Sequence, residues 1–247
     1  MDSESIKTHA ALEESYWWFI GRRKVIWTIT SPILRSDNKI LDWGCGAGGN
    51  YQLLSQFGEV LGVDASEEAL RLCKERSITN VRNMSEITEL PPTPDFDIVS
   101  CLDVLEHISD DSAFLQQIMK RLRPQGFVLL TVPAHMFLWS PLDHTLGHVR
   151  RYTRSNLLQI LEKNGLKVIR ASYFISLLFI PFVTVRLLQR SSRSKPKTLD
   201  QMVPKTPKLL NSVFIFIMSI EAQILRLIDL PFGTSIVVLA QNKGTAP

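Results

Sequence analysis

The chain has 247 residues, 45% of them hydrophobic and 21% charged, with a formal net charge of +4. That length suits one α/β domain carrying an insertion or additions, and the apolar content is enough for a sizeable core. Three cysteines, an odd number without metal-like pairing, argue against a disulfide framework and point to a reducing cytoplasm.

The start, Met1-Asp2-Ser3-Glu4-Ser5, is acidic and polar and does not read as a signal peptide. Then comes Tyr16-Trp17-Trp18-Phe19-Ile20-Gly21-Arg22-Arg23. Aromatic density this high near a terminus marks either a clamp onto the core or a binding surface. An apolar run over 39–44 reads as the first strand and ends in the glycine-rich turn Asp42-Trp43-Gly44-Cys45-Gly46-Ala47-Gly48-Gly49. A helix is expected over 49–57 and a second strand over 60–64, ending in Asp64. Ser66-Glu67-Glu68 opens a helix to about Arg76, with a capping residue and early acids. A short third strand near Val81–Met84 leads into the proline-rich loop 90–94, and a fourth strand covers 96–101. Asp110 or Asp111 caps a helix ending near Arg123, and the fifth strand covers 127–132.

A loop rich in polar and aromatic residues follows Pro133 and holds three of the five histidines: His135, His144 and His148. Thr153 caps a helix that ends at Asn164-Gly165, and 167–172 and 235–240 read as the last two strands. Alternating strands and helices imply a mostly parallel sheet. About sixty residues separate those last strands, with apolar stretches at Tyr173–Leu188 and Leu209–Leu230. Pro181 and Arg186 interrupt the first, and Glu221, Arg226 and Asp229 the second, so neither is a clean spanning run. Between Arg186 and Lys208 seven basic residues face only Asp200; this stretch carries +6 and leaves about −2 elsewhere. A basic nucleic-acid enzyme would spread its charge around a cleft, so nucleic acid is not expected as a partner. Two amphipathic helices flanking a basic linker fit a protein lying on an anionic membrane face. Packing on the sheet or a dimer interface is the alternative.

Gly44, Gly46 and Gly49 fit G-x-G-x-x-G, the dinucleotide fingerprint, while Asp42 with Gly44, Gly46 and Gly48 fits D-x-G-x-G-x-G. The second pattern resembles the first motif of the class I S-adenosylmethionine-dependent methyltransferases. Phe96 to Ile108, which contains Leu102-Asp103-Val104-Leu105-Glu106-His107, resembles that family's fourth strand and following loop. Leu122-Arg123-Pro124-Gln125-Gly126 resembles its "L-(K/R)-P-G-G" turn, with Gln125 in place of a glycine. Tyr16 to Arg23 and Trp139 to Tyr152 resemble the "H-W-W-F-x-x-R-R" and "W-S-x-x-D-x-x-x-x-H-x-R-R-Y" stretches of one subgroup, with Tyr16 replacing the histidine.

The resemblance implies a seven-stranded doubly wound sheet of order 3-2-1-4-5-7-6, with the seventh strand antiparallel. Here a helical insertion, 173–232, would separate strands six and seven. A methyltransferase domain would occupy 38–172 and 233–247, behind an aromatic helical cap at 1–37. S-adenosyl-L-methionine is the implied cofactor and S-adenosyl-L-homocysteine its product. Asp42, Gly44, Cys45, Gly46 and Gly48 would face the methionine and ribose, and Asp64 the ribose hydroxyls. Ala65, Ser66, Glu86 and Ile87 would border the adenine, and Cys101, Leu102 and Asp103 the methionine arm. From the cap, Trp18 could stabilise a sulfonium, and Arg22 or Arg23 could bind the methionine carboxylate.

A histidine suits removal of a proton from an acceptor near neutral pH; His148, then His144, then His135 are the candidates. Clustered histidines also suggest zinc, but without cysteine partners or regular spacing no metal is expected. Tyr16, Trp17, His107, Trp139, Asp143, Arg150, Arg151 and Tyr152 are the candidate acceptor contacts. The two arginines could equally pair with Asp143. The expected activity is methyl transfer, with oxygen favoured, to a small or lipid-linked acceptor such as a quinone precursor, a polyprenyl-linked sugar or another glycolipid. The expected place is the cytoplasm, peripheral at the inner face of a membrane. A nicotinamide-dependent oxidoreductase and a non-catalytic scaffold are the rivals.

Overall fold

The computed structural model describes residues 3–89, 94–191, 203 and 206–244. The proline-rich loop 90–93 and the basic side chains between Arg186 and Lys205 lie outside the described residues. Helices α1 (Ser3–Glu13) and α2 (Trp17–Thr30) precede β1 (Asn38–Trp43), α3 (Tyr51–Leu54), β2 (Gly58–Asp64), α4 (Glu67–Glu75) and β3 (Val81–Asn83). Then come β4 (Phe96–Leu102), α5 (Asp111–Met119), β5 (Leu122–Pro133), α6 (Pro141–Leu146), α7 (Arg154–Lys163) and β6 (Leu166–Phe174). Helices α8 (Phe179–Ser191) and α9 (Lys208–Ile224) lie between β6 and β7 (Ser235–Asn242).

The strands form one sheet of order β3-β2-β1-β4-β5-β7-β6. β1 pairs parallel with β2 and β4, and β7 runs antiparallel between β5 and β6. Both faces are covered, and the strands alternate between two cores. Val128 and Leu130 of β5 with Ile236 and Val238 of β7 face α5 and α7, through Leu115, Ile118, Leu157 and Leu161. Leu129, Val237 and Leu239 face the other way, onto Val25, Ile26 and Ile29 of α2 and Met218 of α9. Burial on both faces explains why these strands read as unbroken apolar runs.

Several boundaries differ from the sequence expectation. The helix expected over 49–57 is a single turn, Tyr51–Leu54, and β2 begins at Gly58 rather than at residue 60. A Cβ at that glycine would lie 1.8 Å from the Asn38 carbonyl oxygen, so only glycine lets β2 pair there. The helix expected to reach Arg123 stops at Met119, because Leu122 already pairs with Phe96. A register shift follows between Phe96 and Ile98, and Gln125 adopts φ +66, the left-handed conformation a glycine would supply. Tyr173 and Phe174 belong to β6 rather than to a helix, and α9 ends at Ile224 rather than Leu230, which bridges back to Tyr173. Helix α6 was not anticipated, although Pro141 at its first turn and the Ser140/Asp143 capping box are its sequence signal. No helix among the described residues is long and apolar enough to cross a membrane.

Candidate active site

β1 and β2 carry their polar termini to one edge of the sheet. After Trp43 the chain turns through Gly44, Gly46 and Gly48 at φ +78, +55 and +83. A Cβ on Gly44 would meet Val104 at 2.5 Å, and one on Gly48 would meet Ile78 at 2.4 Å. One on Gly46 would meet nothing within 4 Å, so the backbone there is open to a ligand. The Asp64 carboxylate accepts from the Gly46 and Ser66 N–H groups, both at 2.9 Å, and Ser66 caps α4. Cys45 and Cys73 back the turn, their sulfurs 3.7 and 3.2 Å from the Gly46 carbonyl oxygen. Ala65 is exposed at the end of β2. Glu86 is exposed and accepts from the Asn83 N–H at 3.2 Å, whereas Ile87, Cys101 and Leu102 are buried.

Asp42 is buried and accepts from the Ser100 hydroxyl at 2.7 Å; burial pushes its carboxyl up to about 6. Arg22 reaches the same edge from α2. It is ion-paired to Asp103, bonded to Asn50 Oδ1 at 3.1 Å, and 4.9 Å from the centre of the Trp18 ring. Burial pulls its guanidinium down to about 10, so it stays charged near neutral pH. Its Nε is buried without a partner, and Asp103 sits at φ +59. Arg23 donates to the Gly49 carbonyl at 3.2 Å. Glu13 of α1 packs over Gly49 and is held by Arg76 at 2.6 Å. Burial acts to raise its carboxyl, but His9 and Arg76 outweigh it and leave the group below its ordinary range. The edge thus holds two buried acids, one buried cation with a spare donor, and an open glycine backbone. Those groups fit a ligand bearing an ammonium, a carboxylate and a ribose.

The histidine loop is built on Asp143. Its carboxylate closes the cap of α6 and binds Arg151 Nε at 2.8 Å and Nη2 at 3.0 Å. It also accepts from His148 Nδ1 at 2.9 Å. Burial acts to raise Asp143, yet His148 and Arg151 hold it far below the carboxylate range. With Nδ1 on Asp143, His148 turns Nε2 toward Glu106, 3.9 Å from its Oε1. Glu106 is fully buried with neither oxygen hydrogen-bonded, and burial pushes it up to about 8. The His107 ring stands 4.8 Å from that of His148, with its Nδ1 on the Gly147 carbonyl at 3.2 Å. Burial first, then His148, lowers His107. Glu106, His107 and His148 place ligand atoms within 4.8 Å of one another, a set that could hold a metal.

The structure thus brings Asp42, Arg22, Asp103, His107, Asp143 and His148 together with Asn50, Ser100, Glu13 and Glu106, which sequence reasoning did not assign to the site. Nothing local places Glu13 or Asn50 at this edge, since the contacts that bring them there, with Arg76 and Arg22, are distant in sequence. Glu106 was legible only as the neighbour of His107. Other candidates lie in packing. Arg151 is buried on Asp143 and the Ala134 carbonyl, Arg150 pairs with Asp111 at 2.9 Å, and Tyr152 is buried against the same acid. Trp139 donates to His144 Nε2 at 2.9 Å, which engages that ring nitrogen. His135 stacks on Tyr173 and Phe137, and burial lowers it. Trp17 is buried on Phe214 of α9, with Tyr16 beside it.

A family model described as a methyltransferase domain matches residues 23–171. The mitochondrial ubiquinone biosynthesis O-methyltransferase of Schizosaccharomyces pombe is 33% identical over 127 residues, 47% of this chain and 46% of that protein. The ubiquinone biosynthesis O-methyltransferase of Idiomarina loihiensis is 27% identical over 178 residues, 63% of this chain and 73% of that protein. The match therefore spans about half the length of the first relative. The crystal structure of an S-adenosylmethionine-dependent methyltransferase from Archaeoglobus fulgidus superposes with a TM-score of 0.54 at 19% identity, over 88% of this chain and 92% of that one, which shows the shared fold.

Proposed function

The chain belongs to the class I S-adenosylmethionine-dependent methyltransferases, and from that premise we propose that it methylates a hydroxyl oxygen on a small or lipid-linked acceptor, a quinone precursor or glycolipid. The observation that carries this reading is the His148–Asp143 pair, a histidine held in one tautomer at the sheet edge that carries the cofactor residues. Bound S-adenosylmethionine supplies an electrophilic methyl group on a sulfonium.

In this reading Asp64 accepts from the ribose hydroxyls beside the open backbone of Gly46. Arg22 binds the methionine carboxylate in this reading, and Asp42 and Asp103 the ammonium. Trp18 presents a ring beside Arg22. α1 and α2 form the wall that keeps water out. His148 Nε2 takes the acceptor hydroxyl proton as the carbon–oxygen bond forms and the carbon–sulfur bond breaks, and Asp143 steadies the resulting imidazolium. The histidine loop follows β5, at the strand ends where open α/β sheets bind ligands. The insertion 173–232 makes peripheral contact with an anionic membrane at its inner face, which suits a hydrophobic acceptor.

A second reading of the same cluster rests on the orphaned Glu106 carboxylate: a divalent cation held by Glu106, His107 and His148 would polarise the acceptor oxygen instead. One experiment separates the two. The protein is given methyl-labelled cofactor with a lipid extract or a soluble extract, with and without chelator. Label in an organic-phase product supports the lipid acceptor, and label confined to soluble product removes it. Under the base reading His148→Ala lowers kcat about 10²- to 10⁴-fold and leaves S-adenosylhomocysteine affinity unchanged, with no effect of chelator. Loss of activity on chelation, restored by added cation, would replace the base with the metal.

A further inference from the structure

Helix α9 has two apolar faces, and only one of them is used. Met218, Ala222 and Leu225 are buried against α2 and the sheet, with Phe214 packing on Trp17. That contact is close. A Cβ at Gly21 would lie 2.7 Å from Met218 Cγ, Asn211 binds the Trp17 N–H at 2.9 Å, and Lys24 reaches Ser219 at 2.6 Å. On the opposite side Leu209, Val213, Phe216 and Ile220 repeat at intervals of four, three and four residues, so they form one stripe. Leu227 continues the spacing just past the helix. Leu209 is 80% exposed, Phe216 65% and Leu227 86%. Single exposed leucines are ordinary, but a contiguous row of large apolar side chains over about 17 Å of helix marks an interaction surface.

The chemistry of this surface favours lipid. Within α9 the charged residues are Lys208, at its first position, and Glu221. Glu221 is turned into the protein, where it accepts from the N–H groups of Ile175, Ser176 and Leu177 at 2.5, 2.7 and 2.9 Å. The stripe therefore carries no acid. The sequence leading into it is the stretch with seven basic residues against one acid. An apolar face preceded by strong positive charge matches an anionic bilayer, whose surface attracts the cations while its acyl boundary accepts the side chains. At 17 residues the helix is too short to span, which leaves it lying in the interface plane. Beyond Leu227, Phe232 contacts Phe179 at 5.5 Å, and Phe179 contacts His135, in the loop that carries Asp143 and His148.

We propose that the outward stripe of α9, Leu209, Val213, Phe216, Ile220 and Leu227, lies in the headgroup–acyl boundary of an anionic membrane. The row of rings from Phe232 through Phe179 to His135 then leads from that membrane toward the acceptor site. This inference rests on the reading that residues 173–232 face a membrane, and it assigns that contact to one helix face.

The test is sedimentation of the full chain with vesicles of phosphatidylcholine and phosphatidylglycerol, against phosphatidylcholine alone and against raised salt. The variant Leu209→Ser/Phe216→Ser/Leu227→Ser is run in parallel, with circular dichroism and S-adenosylhomocysteine binding confirming its fold. The expected result is binding of the natural chain to the anionic vesicles, weakened by salt, and at least tenfold weaker binding of the variant. Equal binding by both proteins overturns the assignment to this stripe while leaving the membrane reading standing. Absence of binding by the natural chain overturns both. A dimer by light scattering that the variant dissolves, without vesicle binding, assigns the stripe to a second copy instead. Cofactor binding measured without vesicles tests the methyltransferase reading separately.

Discussion

Glu106 is fully buried with both carboxylate oxygens unbonded, and the folded protein pays for that by keeping it protonated. Its folded value, about 8, stands above the ordinary 4.5 because burial disfavours the charged form. The sign follows directly. The group's contribution to stability is fully present below pH 4.5 and is lost as pH rises through about 8. Asp42 behaves alike over the lower window, from 3.8 to about 6. Melting of the cofactor-free protein is therefore expected to weaken from pH 6 to 8, and Glu106→Gln to flatten that slope by on the order of a kcal/mol per pH unit. Parallel pH profiles for the two proteins would show that Glu106 is charged at neutral pH. The chemistry of the site is only half legible at this scale. Asp42, Asp64 and the three glycines follow from a local pattern, whereas Glu13, Asn50 and Ser100 enter through partners tens of residues away.

At the scale of elements, α2 does two things at once. Its Val25, Ile26 and Ile29 cover the sheet, and its Arg22 pairs with Asp103 at the edge proposed for the cofactor. The position of that arginine depends on how α9 seats against α2, and Gly21 allows the close approach of Met218. Gly21→Val is expected to cost about 1–3 kcal/mol by overpacking. Met218→Ala in the same chain should recover part of that loss, with a coupling of at least about 0.5 kcal/mol in a urea double-mutant cycle. Additive losses would mean that the two residues do not share the contact. Glu221 makes the other tie, holding the turn after β6 in which Ile175 adopts φ +59, a conformation costly for a β-branched residue. These ties make the insertion part of the fold's second core rather than an appendage.

For the whole molecule, the edge proposed to hold the cofactor gathers residues from α1, α2, the β1 turn, β2 and the β4 loop, so binding there should stabilise the entire fold. At a hundredfold excess over its Kd, S-adenosylhomocysteine is expected to add about 2.7 kcal/mol, or roughly 5–10 °C in Tm. Arg22→Ala should lose most of that shift, and NAD should produce none; a shift with NAD would reopen the oxidoreductase alternative. The strand order was legible in advance because the glycine turn, the acid after β2 and the motifs at β4 and β5 together resemble one family, whose topology they carry. The two-sided apolar runs agreed with a covered, mostly parallel sheet. By itself the sequence determined the sheet, the cofactor and the class of reaction, because its short local motifs resemble those of one family, which implies all three. Only the tertiary structure decided which members of the histidine loop meet and which face of α9 is left over. It paired Arg151 with Asp143, freed His148 Nε2 toward Glu106, and buried Trp17 beneath Phe214. Those outcomes depend on contacts between distant segments, and spacing along a chain carries no record of which segments pack together.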